Sequence, residues 1–287
     1  MRRVALITWS GLREGAESEQ LLLPLLAQRG VEATLVDWRD PAADFGAFDL
    51  LILRSCWDYH LHYCEFTGWL SRAGRVVPVL NKLETVLWNS NKFYLQQLES
   101  QGIEIAPTCF VSAGGDLGSL DLAKIECWSE IVVKPAVSAS AHKTYRFAKG
   151  ALPSQQTLKE LMDSRAFLVQ QFVPEVQSRG EISFIYIDGA YSHAVLKRPA
   201  AHDFRVQQEH GGSAVLFTPS PPLLRQADKI AAAVPQLRES LYCRIDAIEK
   251  DGKLMLMELE LIEPELFLAL AEGAAERFAD AIVRRLK

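Results

Sequence analysis

The feature that most constrains the fold is an apolar run, residues 254–267, that is interrupted by glutamates and reads LMLMELELIEPELF. As a β-strand its side chains alternate between two faces, which puts Glu258 and Glu260 on one face together with Leu254 and Leu256. The other face would hold Met255, Met257, Leu259 and Leu261. Two adjacent carboxylates repel each other by about 1 kcal/mol or more near a protein surface. A strand tolerates such a pair when a positive charge lies between Glu258 and Glu260.

A second acidic strand precedes this run. Residues 242–248 (YCRIDAI) read as a strand, and the Asp251-Gly252 pair in the link is typical of a hairpin turn. Pairing the two strands can bring Asp246 beside Glu258. Mg²⁺ is a hard cation that proteins bind with one or two carboxylates together with substrate phosphates, so it is one candidate for the positive charge. A solvated charged strand face is the other interpretation, and these residues alone leave both open.

Composition excludes several classes of function. The chain has 287 residues, which suits one large domain or two to three smaller ones, and its 49% hydrophobic and 23% charged residues are those of a globular protein. The net charge of −5 offers no basic surface for nucleic acid. No apolar run is long enough to span a membrane. The five scattered cysteines form no zinc or redox motif, so we expect reduced thiols and a cytoplasmic location.

The first part of the chain alternates strands and helices. Apolar runs at residues 3–8, 31–36 and 48–53 flank a helical pattern at 18–29, which predicts an α/β fold with an open parallel sheet. Ligands of such sheets bind beyond the carboxyl ends of the strands. The polar and aromatic side chains at two of these exits are candidates for a small-molecule site: Thr8, Ser10, Arg54, Trp57, Asp58 and Tyr59. Packing of a loop onto the body explains the two aromatic residues equally well.

The rest of the chain divides into two further segments. A strand at 103–111 precedes a Gly- and Ser-rich linker at 112–117, and another strand ends at Lys134 before a loop of small residues. A strand at 167–173 is followed by a hairpin around Asp188-Gly189, and helices are predicted at 226–238 and 272–286. We therefore predict an N-terminal domain at 1–112, a small middle subdomain at 113–174 and a C-terminal subdomain at 175–287.

Basic residues recur at the ends of these elements. They are Lys92, Lys134, Lys197, Arg198 and Arg205, and the last is followed by the Gly211-Gly212 pair. Any one of these basic residues, taken alone, is more often a solvated surface charge than a ligand-binding group. Together with three carboxylates on paired strands, they are the groups that a nucleoside triphosphate and Mg²⁺ require.

The order of these motifs resembles the ATP-grasp enzymes, in particular the branch of the glutathione synthetases and ribosomal-protein glutamate ligases. The resemblance extends over nearly the whole chain, and the phrases RSCWDY, VVKPAVSA, HAVLKRPA and ELELIEP are most similar to the O-ureido-serine cyclo-ligases of cycloserine biosynthesis. It implies an ATP-grasp fold behind an N-terminal α/β domain. The implied function is an ATP- and Mg-dependent ligase that activates a carboxylate or carbonyl oxygen of an amino-acid-like substrate as an acyl phosphate. An amine then attacks, and ADP and phosphate are released.

The resemblance also implies roles for individual residues. Lys92 and Lys134 would contact the ATP phosphates, and the backbone of Gln171 and Val173, with Phe172 nearby, would bind adenine. Glu181 or Glu175 would meet the ribose. Two Mg²⁺ ions would be held by Asp246, Glu258 and Glu260. Arg205, helped by Lys197 or Arg198, would stabilise the transferred phosphoryl group. His210 and Gly211 are further candidates for contact with the nucleotide. The six strand-exit residues named above are the candidates for binding the amino-acid-like substrate.

Two departures from the common ATP-grasp pattern stand out. Glu260 occupies a position where many relatives have Asn, which adds negative charge to the metal site. The loop at 138–144 (SASAHKT) lacks the glycines that many relatives place over the phosphates. A homodimer is expected from the resemblance. A small-molecule kinase and a non-catalytic nucleotide-binding protein remain alternatives, and the intact set of three carboxylates argues against the second.

Overall fold

The structure is a computed structural model, and it describes residues 1–115, 122–151, 153–162, 165–201, 203–207 and 210–286. Two predictions therefore fall partly outside it. The end of the expected 112–117 linker, Asp116 and Leu117, is not described, and neither are Gln208 and Glu209 in the loop after Arg205.

The N-terminal part is an open parallel sheet, which confirms the predicted α/β class. Its strands are β1 (Arg2–Thr8), β2 (Val31–Asp37), β3 (Leu50–Leu53) and β4 (Val79–Leu80), in the order β2-β1-β3-β4. The helices here are α1 (Glu17–Gln28), α2 (Tyr63–Ala73), α3 (Leu83–Ser90) and α4 (Tyr94–Ser100). The carboxyl ends of β1 and β3 lead into the two loops that the sequence singled out.

The middle part is an antiparallel sheet in the order β5-β8-β6-β7. Its strands are β5 (Thr108–Val111), β6 (Glu130–Pro135), β7 (Tyr145–Ala148) and β8 (Phe167–Gln171), and its helices α5 (Leu122–Glu126) and α6 (Gln155–Met162). The strand predicted at 103–111 was too long, because Pro107 lacks an N–H and the ladder begins only at Thr108. β5 thus pairs within this sheet although it precedes the boundary predicted at residue 113.

The C-terminal part is a five-stranded antiparallel sheet in the order β11-β10-β9-β12-β13. Its strands are β9 (Glu181–Ile187), β10 (Ala190–Arg198), β11 (Ser213–Phe217), β12 (Tyr242–Lys250) and β13 (Lys253–Glu260), and its helices α7 (Glu175–Ser178), α8 (Pro221–Ala232) and α9 (Ala274–Arg285). The predicted β9–β10 and β12–β13 hairpins are confirmed. The helix predicted at 226–238 was misplaced, because prolines at 221 and 235 set its start and prevent its continuation.

One apolar core joins the first sheet to the third. Leu22 and Leu26 of α1 pack with Phe278 and Ile282 of α9, and the same cluster contains Ile185 of β9. α9, at the end of the described chain, therefore fixes the N-terminal sheet to the C-terminal sheet. Among the described residues, no helix is long and apolar enough to cross a membrane.

Candidate active site

A cleft of about 370 Å³ contains most of the charged residues that the sequence singled out. Residues of the second and third sheets line it, and loops of the N-terminal part line one end. The predicted site residues that line it are Lys92, Lys134, Gln171, Phe172, Val173, Glu181, Lys197, Arg205, Asp246, Glu258, Glu260, Trp57 and Tyr59. Lys92 and Glu258, which are 166 positions apart in the sequence, are thus brought into one cleft.

The paired carboxylates lie where the hairpin was expected to bring them. Asp246 on β12 is opposite Glu258 on β13. The register shifts at this point, because Ala247 pairs with Leu256 and Met257 is left as an extra residue, a β-bulge. The predicted common face of Glu258 and Glu260 is therefore confirmed, whereas the prediction that Leu254 and Leu256 share it was wrong.

The bulge reverses the alternation of β13 between its two halves. Leu254 and Leu256 join Leu259 and Leu261 in the core between the sheet and its helices. Met257, Glu258 and Glu260 line the cleft instead. A single extra residue thus puts the leucines on the buried face and both glutamates on the cleft face.

The outer edge of β13 is bound by side chains instead of another long strand. The Asn89 amide donates to the Leu259 carbonyl at 2.7 Å and accepts from the Leu261 N–H at 2.8 Å. The Tyr94 hydroxyl bonds to both backbone groups of Leu259, at 3.0 and 2.9 Å. These buried bonds fix the backbone on both sides of Glu260.

Each of the three predicted metal ligands has a cationic partner. Lys92 lies 3.1 Å from Glu258 and also donates to the Ser138 carbonyl at 2.6 Å. Lys197 lies 2.8 Å from Asp246 and 2.6 Å from Glu181. The Arg244 guanidinium donates to both oxygens of Asp246, at 2.9 Å each, and contacts Glu260. The cleft therefore contains a compact network of alternating charges.

The pKa values reflect this network. Burial opposes ionisation of Asp246, but Arg244 and Lys197 outweigh it and hold its pKa well below the usual range. Burial likewise opposes ionisation of Glu258, and Lys92 and Lys134 outweigh it, so that its pKa is lowered. Burial raises the pKa of Glu260 to about 7, and the neighbouring Asp246 and Glu258 carboxylates add to the increase against Arg244. Burial and two neighbouring carboxylates thus outweigh Arg244 and Lys197 at Glu260.

These carboxylates fit Mg²⁺ in chemistry. Their oxygens are hard ligands, and a divalent cation would relieve the excess negative charge at Glu260. Within the described ranges, however, no three carboxylate, histidine or cysteine side chains converge closely enough to hold a metal ion.

The strand end at Gln171 provides a wall suited to a flat ring. The N–H groups of Gln171 and Phe172 donate to the carbonyls of Pro107 and Glu130, at 2.8 and 3.0 Å. In an antiparallel pair the partner residue usually donates its own N–H in return. Pro107 has no N–H, so it leaves the Gln171 carbonyl without this hydrogen bond. Apolar side chains continue this wall into the cleft, namely Val132, Val173, Val176, Phe204, Val206 and Met257.

The loop at 138–144 lies over the cleft and adopts a backbone conformation that usually requires glycine. Ser140, Ala141 and Lys143 have φ angles of 50°, 53° and 52°, and Ser138, Ser140 and Ala141 line the cleft. A residue other than glycine costs roughly 1–2 kcal/mol in this region. The loop therefore adopts left-handed backbone conformations without glycine, and the surrounding fold holds the strain.

Arg205 lines the cleft and is positioned by its own loop. Asp203 accepts from the Arg205 side chain at 2.8 Å and from its backbone N–H at 2.9 Å. Gly212 returns so close to this loop that a Cβ atom there would lie 2.1 Å from the Val206 carbonyl oxygen. The Gly-Gly pair therefore permits the tight packing that the sequence indicated.

Several predicted residues do not line the cleft. Arg198 is exposed at the end of β10, and Glu175 lies 3.2 Å from Lys250. His210 and Gly211 flank the Arg205 loop, with Nε2 of His210 buried and without a hydrogen-bond partner in the described structure. Ser10 is exposed on a 3-10 turn.

Three of the strand-exit candidates are buried instead. Thr8 donates to the Leu12 carbonyl at 2.7 Å, and Asp58 accepts from the Trp38 indole at 2.8 Å. Arg54 pairs with Glu19 at 3.0 Å, and both side chains are 1% exposed. Trp57 and Tyr59 alone of the six line the cleft.

The sequence reasoning missed other residues that line the cleft. Arg244 could have been identified, because it lies two residues before Asp246 and strand alternation puts both on one face. Asn89 had no comparable signal, since its role depends on a helix packing against the edge of β13. Glu263 and Phe267 lie beyond the end of β13, where no periodicity predicts the direction of a side chain.

Comparison with known proteins agrees with this architecture. A model of the RimK-like ATP-grasp domain matches residues 90–265, and a model of the N-terminal domain of D-cycloserine synthetase DcsG matches residues 4–81. The chain is 29% identical to the cycloserine biosynthesis protein DcsG of Streptomyces lavendulae over 277 residues, 90% of each chain. It is 27% identical to the glutathione synthetase of Rhodopseudomonas palustris over 241 residues, 81% of this chain and 71% of that one.

A solved structure gives the same result. The crystal structure of D-cycloserine synthetase DcsG superimposes with a TM-score of 0.88 at 27% identity, and the alignment covers 99% of this chain and 100% of that chain. The parallel sheet, the two antiparallel sheets and the cleft between them thus form an ATP-grasp fold. The chain belongs to the RimK-like ATP-grasp family and is an ATP-dependent, ADP-forming carbon–nitrogen ligase.

Proposed function

We propose that this ligase activates a carboxylate or carbonyl oxygen of a small, amino-acid-like substrate and joins the activated carbon to an amine, forming an amide or closing a ring. The observation that carries the proposal is the single cleft in which Lys92, Lys134, Lys197 and Arg205 surround the carboxylates of β12 and β13. This is the charge pattern that a triphosphate and its cations require.

The cleft supports a specific placement of ATP. The Gln171 carbonyl and the Val173 N–H are the backbone groups that we assign to adenine, beside the apolar wall around Phe172. Lys92 and Lys134 are assigned to the phosphates, and burial lowers the pKa of Lys134, which an anionic ligand would reverse. Glu181 is assigned to the ribose in preference to Glu175, which lies outside the cleft.

Mg²⁺ is assigned to Asp246, Glu258 and Glu260, as two ions, and when bound it neutralises charge on the phosphates. Side chains of the protein stabilise the transferred phosphoryl group and hold the carboxylates in place. Arg205 and Arg244 offer guanidinium groups to the oxygens of the transferred phosphoryl group. Lys197, buried between Glu181 and Asp246, keeps the carboxylates in place.

The reaction has two steps. A substrate oxygen attacks the γ-phosphorus of ATP, the bond from that phosphorus to the bridging oxygen breaks, and ADP leaves. The amine nitrogen then attacks the activated carbon, the carbon–oxygen bond to phosphate breaks, and the amine loses a proton. No side chain of the protein is required as a nucleophile, and the cleft contributes orientation and charge.

The substrate class follows from the relatives and the cleft. Among the relatives are a protein of cycloserine biosynthesis and glutathione synthetases, and Trp57 and Tyr59 line the same cleft of about 370 Å³ as the residues assigned to the nucleotide. We place the amino-acid-like substrate at this end, and we retain the homodimer as a prediction.

The test is the release of ADP and phosphate from Mg-ATP with a panel of small amino acids, alone and with added amines. A ligase releases both products and forms a carbon–nitrogen bond. A stable phosphoester in place of free phosphate would indicate a kinase. If millimolar Mg-ATP did not shift the melting temperature, the nucleotide site would not be functional and the protein would be non-catalytic.

Glu258→Gln should reduce ADP formation by at least about 100-fold, because it removes one of the charges assigned to Mg²⁺. Glu249→Gln, which removes a carboxylate of β12 outside the cleft, is the matched control and should retain activity. Normal turnover by Glu258→Gln would refute the metal assignment. Melting temperatures of both variants establish that the fold is intact.

A further inference from the structure

Glu263 differs from the four acidic residues that form the charge network of the cleft. Asp246, Glu181, Glu258 and Glu260 each have a Lys or Arg partner within the cleft. The Glu263 carboxylate lines the same cleft and, within the described part of the chain, has no hydrogen bond or ion pair. An acidic side chain that faces a cleft without a cation is a candidate to bind one from a ligand.

The backbone of Glu263 is fixed by the N-terminal part. The Trp57 indole donates to the Glu263 carbonyl at 3.0 Å, and Arg54 donates to the next carbonyl, that of Pro264, at 3.2 Å. Both donors belong to the loop that follows β3. Glu263 is therefore held against the substrate end of the cleft, with the ring of Pro264 restricting the backbone further.

The surroundings of the carboxylate favour a cationic ligand. Ile262 and Cys56 are buried beside it, and Tyr59 is 4% exposed. Burial raises the pKa of Glu263 well above its usual range, and Glu260 adds to the increase, while the more distant Lys92 opposes it. Lys92 already contacts Glu258 and the Ser138 carbonyl. A carboxylate in such a place is stabilised when a positive group is bound next to it.

The neighbouring aromatic side chains favour the same kind of ligand. Trp57 and Tyr59 line this end of the cleft, and aromatic faces attract ammonium groups. Phe267 lines it too and has a φ angle of 52°, which is rare for a bulky residue. Glu265 accepts from the Phe267 N–H at 2.7 Å and so holds this strained backbone. The result is a small compartment that contains the Glu263 carboxylate, which has no cationic partner among the described residues.

We propose that Glu263 is a specificity-determining residue that binds the ammonium group of the amino-acid substrate, between the rings of Trp57, Tyr59 and Phe267. This assignment rests on the ligase function proposed above. It predicts that the substrate has a free primary amine close to the group that is phosphorylated. It also predicts that the enzyme rejects analogues without that amine.

The experiment compares paired ligands on the full-length protein saturated with Mg-ATP. The pairs are alanine and lactate, serine and glycerate, and O-ureido-serine and its des-amino analogue, with both enantiomers of each. Thermal shift and isothermal titration measure binding, and ADP release measures kcat and KM. In the wild-type protein, at least one amino acid should bind more tightly than its des-amino partner.

Glu263→Gln should weaken binding of that amino acid by about 10- to 100-fold, because a hydrogen-bonded charge is replaced by a neutral amide. Binding of the des-amino partner should not change, so the preference for the amine is lost. The KM for ATP, the melting-temperature shift with Mg-ATP and the Mg²⁺ concentration for half-maximal activity should remain as in the wild type. Glu17→Gln, which changes an exposed carboxylate at the same end of the cleft, is the matched comparison.

Three outcomes would overturn the assignment. A wild-type protein that binds Mg-ATP but responds alike to both members of every pair has no ammonium site. Loss of selectivity in Glu17→Gln instead of Glu263→Gln would move the site to Glu17. A raised Mg²⁺ requirement in Glu263→Gln would make Glu263 a metal ligand. Failure of the proposed function is distinct, since it would appear as a stable phosphoester in place of free phosphate or as the absence of any response to Mg-ATP.

Discussion

Arg244 holds the central position in the charge network of the cleft. It donates to both oxygens of Asp246, contacts Glu260 and donates to the Glu265 carbonyl at 3.0 Å. Only a guanidinium has the planar fork that satisfies these acceptors together. Burial alone would lower the pKa of Arg244, but Asp246 and Glu260 outweigh it and raise the pKa. Arg244 is therefore fully charged and in place before any nucleotide binds.

Arg244→Lys is expected to lower kcat by about 10- to 100-fold, since one ammonium cannot replace the bidentate contact with Asp246. The KM for ATP should change less, because the adenine wall is remote from Arg244. Steady-state ADP release gives both constants. Arg72→Lys, at an exposed position of α2, serves as the control. An unchanged kcat in Arg244→Lys would show that the fork has no part in phosphoryl transfer.

His60 makes stability depend on pH. Burial, together with the nearby His142, Lys92 and His62, lowers its pKa to about 4, against a hydrogen bond with the Trp57 backbone. Its Nδ1 is buried and, in the part of the chain that is described, has no partner. The unfolded chain has an ordinary histidine with a pKa of about 6.5. Between pH 6.5 and 4 the unfolded state therefore binds a proton that the folded state does not.

The free energy of unfolding should consequently fall as the pH is lowered from about 6.5 to 4, by about 1–2 kcal/mol after allowance for partial exposure of the ring. Urea unfolding at a series of pH values measures this slope. His60→Gln should flatten the slope, whereas His62→Gln, at a more exposed position, should retain it. Equal slopes in wild type and His60→Gln would contradict the assignment.

The element that organises the site is β13, an edge strand whose outer backbone groups are bound by side chains. Asn89 and Tyr94 hold the backbone at Leu259 and Leu261, and the Glu104 carbonyl accepts from the Leu256 N–H at 2.8 Å. The bulge at Met257 and these contacts together determine where Glu258 and Glu260 point.

Asn89→Ala should destabilise the protein by about 2–4 kcal/mol, because it leaves a buried carbonyl and a buried N–H without partners. It should also lower kcat more than it raises the KM for ATP, because the backbone next to Glu260 loses its anchor. Urea unfolding and steady-state kinetics measure the two effects. Ser100→Ala, which removes one exposed hydrogen bond at the end of α4, is the control. A loss of stability without a change in kcat would limit Asn89 to a structural role.

Strand β13 also shows which features of the site could be predicted from the sequence. The turn residues Asp251-Gly252 predicted the β12–β13 hairpin and the approach of Asp246 to Glu258, as observed. Counting back from the turn alone would put Asp246 opposite Met257, and the bulge makes Glu258 its partner instead. Strict alternation then misassigned the leucines of β13, because no residue type signals a bulge at Met257. Likewise, nothing local in the sequence indicates that Arg54 would be buried in an ion pair, since its partner Glu19 comes from a separate helix. Local chemistry was predictable, and long-range packing was not.

At the scale of the whole molecule, the N-terminal sheet and the C-terminal sheet share one core. The Arg54 guanidinium lies over the rings of Tyr242 and Phe278, at 5.1 and 5.5 Å, while pairing with Glu19. The same side chain donates to the Pro264 carbonyl in the segment that carries Glu263. The interior of the N-terminal part is thereby connected to the substrate end of the cleft.

Removing one member of this buried ion pair should be more damaging than removing both. Arg54→Met leaves the Glu19 carboxylate buried and uncompensated, which costs about 3–5 kcal/mol, and Glu19→Met should cost a similar amount. The double variant Arg54→Met/Glu19→Met should be less destabilised than the sum of the two, because neither charge is left alone. Urea unfolding of the four proteins measures this coupling, and strict additivity would contradict it.

The double variant also separates stability from function. It retains no donor for the Pro264 carbonyl, so the segment around Glu263 loses a contact even where the stability is largely restored. We therefore expect weaker binding of the amino-acid substrate with an unchanged KM for ATP, since the adenine wall and Lys92 belong to other elements. Calorimetry with each ligand on the folded double variant measures both affinities. An equal loss of affinity for ATP and for the amino-acid substrate would mean that Arg54 supports the cleft as a whole. A loss of affinity for the amino-acid substrate alone would show that the N-terminal sheet controls substrate binding through one buried guanidinium.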